Sequence, residues 1–139
     1  MPGFPGSDSL GRPLVLYFYP KDFTSGCTKE ACLFRDAYSE LRASHGVEIA
    51  GVSRDSAESH ERFRAEHRLP FPLVSDAGGA ISRQFGVAWL WGLLPLVKRV
   101  TFVVDAGGII RGLFHHEAAI DRHLKEVRQC LESIRPGAR

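Results

Sequence analysis

Cys27 and Cys32 stand five residues apart in the stretch YPKDFTSGCTKEAC, Tyr19 to Cys32. Sulfur reacts as a thiolate, and the neighbours of Cys27 are of types that favour one. Cys27 follows an apolar run and a Pro/Thr/Ser/Gly turn, which places it in the first turn of a helix. Unpaired backbone N–H groups and the positive end of the helix dipole attract an anion there. Ionisation by itself gains little, because nucleophilicity falls with basicity along a Brønsted slope of about 0.4–0.5. Fast chemistry at Cys27 therefore requires donors aimed at the transition state. Thr24 offers a hydroxyl three residues before the sulfur, and the N–H groups of Gly26 and Cys27 can line the same cavity. Pro20 can fix the exit of the preceding strand and shield it, and a guanidinium from elsewhere in the chain would complete the site.

Cys32 poses a geometric problem. Five residues of ideal helix give a rise of ~7.5 Å and a rotation of ~140°, and so a Cα separation of about 8.6 Å. That exceeds the ~7 Å limit for a disulfide, so a Cys27–Cys32 bond requires the helix to unwind over roughly Gly26 to Arg35. Cys130, beside Leu131 near the end of the chain, is expected to be a packing residue or a surface thiol. His115 and His116 would project to opposite sides of a strand, poor geometry for holding one metal, and are expected to be solvated.

The elements that must position these residues follow from pattern. The run PLVLYFY, Pro13 to Tyr19, is continuously apolar, as expected of a strand buried on both faces. From about Gly26 to His45 the period becomes helical, with Ala31, Phe34, Tyr38 and Leu41 on one stripe and Gly46 at the C-cap position. A second strand, Val47 to Ser53, precedes a polar helix capped by Asp55 or Ser56, then a short strand in LPFPLVSD. GGAISRQFGV allows one or two helical turns. RVTFVVD, DAGG and IIRGLFH form a hairpin, and EAAIDRHLKEVRQCLESIR closes the chain as an amphipathic helix with Ile120, Leu124, Val127, Leu131 and Ile134 inward. The order βαβαβαββα predicts an α/β architecture, a mixed central sheet flanked by helices, of the thioredoxin-like kind.

At 139 residues and 44% hydrophobic content, the chain can bury one core, and residues 1–139 are expected to form a single domain. Its 18 basic and 16 acidic residues are scattered, and a net charge of +2 gives no single-sign field for nucleic acid or anionic lipid. The longest apolar run, VAWLWGLLPLV from Val87 to Val97, is interrupted by Gly92 and Pro95 and falls short of the ~20 residues a bilayer span needs. The first residues, MPGFPGSDSLGRP, carry neither a basic stretch nor a long apolar one. A reducing cytoplasm is therefore the expected location, where three cysteines serve thiol chemistry or packing rather than disulfide staples.

Pro20, Thr24 and Cys27 fit the Pro-x-x-x-Thr-x-x-Cys motif of peroxiredoxins, and LVLYFYPKDFTSGCTKEAC resembles their Q-type, or bacterioferritin comigratory protein, branch. Weaker similarity runs through GVSRDSAESHERFRAEHRLPFPLVSD and RVTFVVDAGGIIR. The resemblance implies a thiol peroxidase acting on hydrogen peroxide and organic hydroperoxides, with Cys27 as the peroxidatic nucleophile and Thr24 orienting the peroxide. It further implies that Arg99, just before VTF, holds thiolate and peroxide oxygen, that Glu30 braces that arginine, and that Cys32 resolves the sulfenic acid within the chain. Thioredoxin or a similar dithiol would then reduce the disulfide, without metal or organic cofactor, in a monomer or weak homodimer. Ser25 departs from the branch's usual proline, and only MPGFPGSDSLGR precedes the first strand, a shortened N-terminus relative to the family. The two tryptophans upstream of Arg99 are more ordinarily core or loop packing, and otherwise an apolar patch for a dimer contact or a hydrophobic peroxide. Two alternatives stay open: a one-cysteine peroxidase that uses an external thiol, and a redox-sensing or docking module without turnover. A thioredoxin-like reductase is disfavoured, since no Cys-x-x-Cys occurs.

Overall fold

The computed structural model describes residues 11–88 and 97–134. Its elements are β1 (Leu14–Phe18), α1 (Ser25–His45), β2 (Glu48–Ser53), α2 (Ala57–His67), β3 (Leu73–Ser75), α3 (Ala80–Gln84), β4 (Val100–Val104), β5 (Ile110–His115) and α4 (Asp121–Ile134). This is the expected order. The five strands form one mixed sheet in the order β3-β2-β1-β4-β5, with β2 parallel to β1 and to β3, and β4 antiparallel to β1 and to β5.

The sheet centres on β1, whose five residues are all buried. Its alternate side chains serve two cores. Val15 and Tyr17 face α1, α4 and Phe63 of α2 in one cluster that includes Cys27, Phe34, Leu41 and Leu131. Leu14, Leu16 and Phe18 face the other cluster, with Val87, Val97, Val100 and Phe102, against which Ile81 of α3 and Phe85 pack. A strand buried on both faces must be apolar throughout, which is why the uninterrupted run marks β1. Trp89 and Trp91 lie outside the described residues. The ends of their segment meet, since Ala88 bridges Val97 and the Lys98 N–H donates to the Val87 carbonyl.

α1 follows the predicted span with one shift of face: Ala37 is buried, whereas Tyr38 is half-buried and donates its hydroxyl to Glu48. The helix ends where Gly46 turns left-handed at φ 65° and its N–H bonds the Arg42 carbonyl. α2 is capped by Ser56, which accepts from the Ser59 N–H.

The sheet and α1 meet at Tyr17. Its ring stacks on Phe34 at 4.9 Å and lies over Gly51 of β2, where an added Cβ would come within 2.8 Å of the tyrosine ring and 2.9 Å of Leu73. Gly51→Ala therefore overpacks a closed interior and is expected to cost ~1–3 kcal/mol, read as a lower urea midpoint at unchanged slope.

Candidate active site

Tyr19 continues β1 by donating its N–H to the Val52 carbonyl, and Pro20 then turns the chain outward. The connection is strained: Phe23 holds φ 67°, a conformation bulky residues avoid, with its half-exposed ring edge-on to Phe63. Asp22 fastens the connection from below. Its carboxylate accepts from the Tyr19 and Ser59 hydroxyls at 2.6 and 2.8 Å and lies 2.8 Å from His60 Nδ1, while its N–H donates to Asp55. These bonds, the His60 contact first, hold the Asp22 carboxyl below its usual range although burial alone would raise it.

Thr24 is the N-cap residue of α1, so Cys27 falls in the first helical turn, as its spacing predicts. Cys27 is 1% exposed. Thr24 is exposed, and its hydroxyl donates to the Lys21 carbonyl at 2.9 Å, leaving the oxygen free to accept from a ligand. Arg99 arrives from the entrance of β4. Because β4 runs antiparallel to β1 with Val100 opposite Phe18, the residue before β4 lies at the exit of β1, where the chain leaves for Cys27.

Arg99 Nη1 donates to Cys27 Sγ at 3.3 Å and to Glu30 Oε1 at 2.9 Å. The sequence thus brings together Cys27, Glu30 and Arg99, and Gly26 closes on them: an added Cβ there would stand 3.1 Å from Arg99 Nη2. Burial works against the guanidinium charge, but Glu30 and the Cys27 sulfur more than offset it and hold the arginine above its usual pKa.

Three further residues act on this group without any signal in the sequence. Glu117 aims the arginine: its carboxylate accepts from the Arg99 backbone N–H at 2.9 Å and its carbonyl from Arg99 Nε at 3.2 Å. His123, fully buried on α4, donates Nε2–H to the His116 carbonyl at 2.8 Å, which leaves Nδ1 to accept from the Thr101 hydroxyl at 2.8 Å. That imidazole, kept neutral by burial, shows no proton to Glu30 Oε2, 3.8 Å away. Tyr17, buried beside the same group, has its pKa raised by burial first and by Glu30 next. His116 departs from the solvated state expected of it: it is half-buried, pairs with Glu126 and stands edge-on to His123.

Glu30 Oε2 has no hydrogen-bond partner among the described residues. Burial accordingly lifts the Glu30 carboxyl from 4.5 to about 7, overcoming the pull of Arg99.

Cys32 lies on the same continuous helix as Cys27, and both thiols are free. Its sulfur is half-buried, 4.0 Å from His67 Nδ1. Cys130 stands apart, half-buried against the α1–α4 core with its thiol pKa raised by burial, which suits a packing residue. Among the described residues one group, Asp22, Asp55 and His60, has metal-ligand spacing, and its atoms are already engaged with one another and with Tyr19, Ser53 and Ser59.

Between about pH 4.5 and pH 7 the folded chain keeps a proton on Glu30 that the unfolded chain has released, so stability falls as pH rises through this window. Glu30→Gln removes that titration. Urea midpoints measured from pH 4.5 to 8 are expected to fall for the wild type relative to Glu30→Gln as pH rises. A pH-independent offset would contradict the assignment.

Residues 4–113 match the AhpC/TSA family model. A chloroplastic peroxiredoxin Q of Oryza sativa subsp. japonica is 42% identical over 125 residues, covering 89% of this chain and 56% of that protein. The chain thus spans little more than half the length of that curated relative. Among solved structures, peroxidoxin BcpB from Mycobacterium tuberculosis superposes with a TM-score of 0.80 at 38% identity, covering 88% of this chain and 80% of that one. The Xanthomonas campestris bacterioferritin comigratory protein, described for its alkyl peroxide reduction activity, gives 0.79 at 35% identity over the same shares. The family match takes in Cys27, Glu30 and Arg99 together with the sheet that joins them, and the chain belongs to the AhpC/TSA family, in the peroxiredoxin Q branch.

Proposed function

We propose that the protein is a thiol peroxidase that reduces hydrogen peroxide and organic hydroperoxides. The observation that carries this reading is one guanidinium nitrogen shared between Cys27 Sγ and Glu30 in a buried site. Arg99 donates to the Cys27 sulfur and presents further N–H groups to the oxygen on which charge develops as the O–O bond stretches. The Thr24 oxygen accepts the hydrogen bond of the entering peroxide. Cys27 sulfur attacks the outer oxygen, the O–O bond breaks, and water or an alcohol leaves with a proton, producing Cys27 sulfenic acid. The alkyl peroxide reduction described for the Xanthomonas campestris relative supports organic peroxides as substrates.

Cys32 then resolves the intermediate. Its thiolate attacks the Cys27 sulfur, water is lost, and an intrachain disulfide forms after the start of α1 unwinds. Thioredoxin or a similar dithiol in a reducing cytoplasm returns the pair to the free thiols of the folded state. The helix favours this sequence of events, since Thr24 makes no side-chain cap bond and the first turn carries no acidic residue. Such an end lacks roughly 1 kcal/mol that a good N-cap supplies.

Rapid mixing of the reduced protein with one equivalent of hydrogen peroxide, followed by tryptophan fluorescence and intact mass, tests both steps. Wild type is expected to finish two hydrogens lighter, Cys32→Ser to stop one oxygen heavier, and Cys27→Ser to lose fast consumption altogether. Wild type that reacts no faster than a free thiol would exclude the peroxidase reading and leave a sensing or docking module. Hydrogen exchange equally slow over Gly26 to Arg35 in reduced and oxidised protein would exclude the unwinding. Glu117→Ala, which leaves every reacting group in place but removes the acceptor of the Arg99 backbone N–H, is expected to slow the first step about tenfold or more.

A further inference from the structure

The chemistry of the first step does not involve the surroundings of Cys32, and those surroundings are organised. Cys32 Sγ lies 4.0 Å from Nδ1 of His67, the last residue of α2. The other ring nitrogen, Nε2, stands 3.3 Å from the Glu66 carboxylate. A carboxylate only accepts, so it keeps a proton on Nε2 and leaves the Nδ1 lone pair turned to the thiol. Phe63 meets the imidazole edge-on at 5.1 Å and fixes its plane. Thiol, imidazole and carboxylate thus follow one another as nucleophile, base and orienting group.

We propose that His67 is the general base that ionises Cys32 for its attack on Cys27 sulfenic acid. This rests on the reading of Cys32 as the resolving cysteine. The step balances as follows: the Cys32 S–H proton passes to His67 Nδ1, the Cys32 thiolate forms the S–S bond, and the S–O bond of Cys27 breaks. The departing hydroxide leaves as water with the proton that His67 took up. No outside reductant or oxidant enters.

A second contact explains how the base stays with its thiol while the helix opens. Arg35 Nη1 donates to the His67 carbonyl at 2.9 Å, one turn beyond Cys32, and ties that part of α1 to the end of α2. The uncapped end beyond Cys27 has no such tie through Thr24. Unwinding therefore stops short of the full Gly26–Arg35 span, and the first turns carry Cys27 toward Cys32, which remains at His67. The Arg35 guanidinium also adds positive charge where the thiolate forms; Asp36 first and a charged Cys32 further favour its protonated state.

The gain available has a ceiling. An unassisted thiol is already a few per cent ionised at pH 7, so a base contributes at most a few tens of fold through ionisation. The full-length reduced protein is pulsed with one equivalent of hydrogen peroxide and quenched in acid, and the lifetime of the one-oxygen-heavier species is read by intact mass. His67→Ala and His67→Gln are both expected to lengthen that lifetime about tenfold, the second while keeping a polar side chain in place. Added imidazole is expected to shorten it again in His67→Ala, because the ring stands at the surface end of α2 with 22% of its side chain exposed. A wild-type lifetime in both variants would overturn the proposal and leave Cys32 as the resolver. A longer lifetime that imidazole does not shorten would also overturn it, and would reduce His67 to a packing contact. If wild type itself never loses the added oxygen, the resolving role of Cys32 fails, and the role of His67 fails with it.

Discussion

A guanidinium held inside the protein is the constraint on which the rest of the site depends. Arg99 is 6% exposed, and a buried charge is tolerated only when its donors are matched. The matches come from two separate parts of the chain: Cys27 and Glu30 from α1, and Glu117 from the segment after β5. Removing any one leaves a donor or acceptor unpaired in a medium where that costs several times what it would in water. The antiparallel ladder of β1 and β4 is what brings Arg99 within reach of a sulfur 72 positions earlier, since the entrance of one strand must lie beside the exit of the other. Sheet topology supplies the position, and the ion pair supplies the orientation.

Glu30 shows that the site is not relaxed. One carboxylate oxygen is bonded to Arg99, and the other faces an imidazole nitrogen that is already accepting from Thr101. A carboxyl so placed is drawn toward its neutral form, while Arg99 draws it toward the anion. The compromise, near 7, lets the brace on the arginine strengthen or slacken within an ordinary range of pH. His123 sets this balance by spending its only proton on the His116 carbonyl.

The sequence made legible whatever is written in period and punctuation. The apolar run of β1, the span of α1, the Gly46 cap, the DAGG hairpin and the closing helix all appear where local pattern put them, with the buried face of α1 shifted to take in Ala37 in place of Tyr38. Cys27 could be placed at the helix start from its turn alone, while Arg99 and Glu30 were singled out by resemblance. Glu117, His123 and Tyr17 were not legible, because a loop carboxylate, a helix histidine and a strand tyrosine look alike whether or not they meet. Their roles exist only once β4, β5 and α4 are assembled around α1. The half-burial of His116 is hidden from the sequence for the same reason, its partner Glu126 lying on the next element. The position of His67 beside Cys32 likewise depends on how α2 packs, which no spacing within either helix encodes.

The two demands on α1 are opposed, and the helix meets them by being unequal along its length. Its far half is secured by Phe34, Ala37 and Leu41 in the core and by the Gly46 cap. Its near end begins beyond a strained Phe23 and lacks a side-chain cap. Glu30 and Cys27 both lie in the part that must open in the proposed cycle, so forming the disulfide withdraws two of the three partners of Arg99 at once. In that proposed cycle the oxidised state lacks the pairing of Arg99 with Cys27 and Glu30, and the unpaired arginine opposes it until reduction lets the first turns rewind. On that proposal the buried contacts of Arg99 with Cys27 and Glu30 also favour the return of the helix to its reduced form.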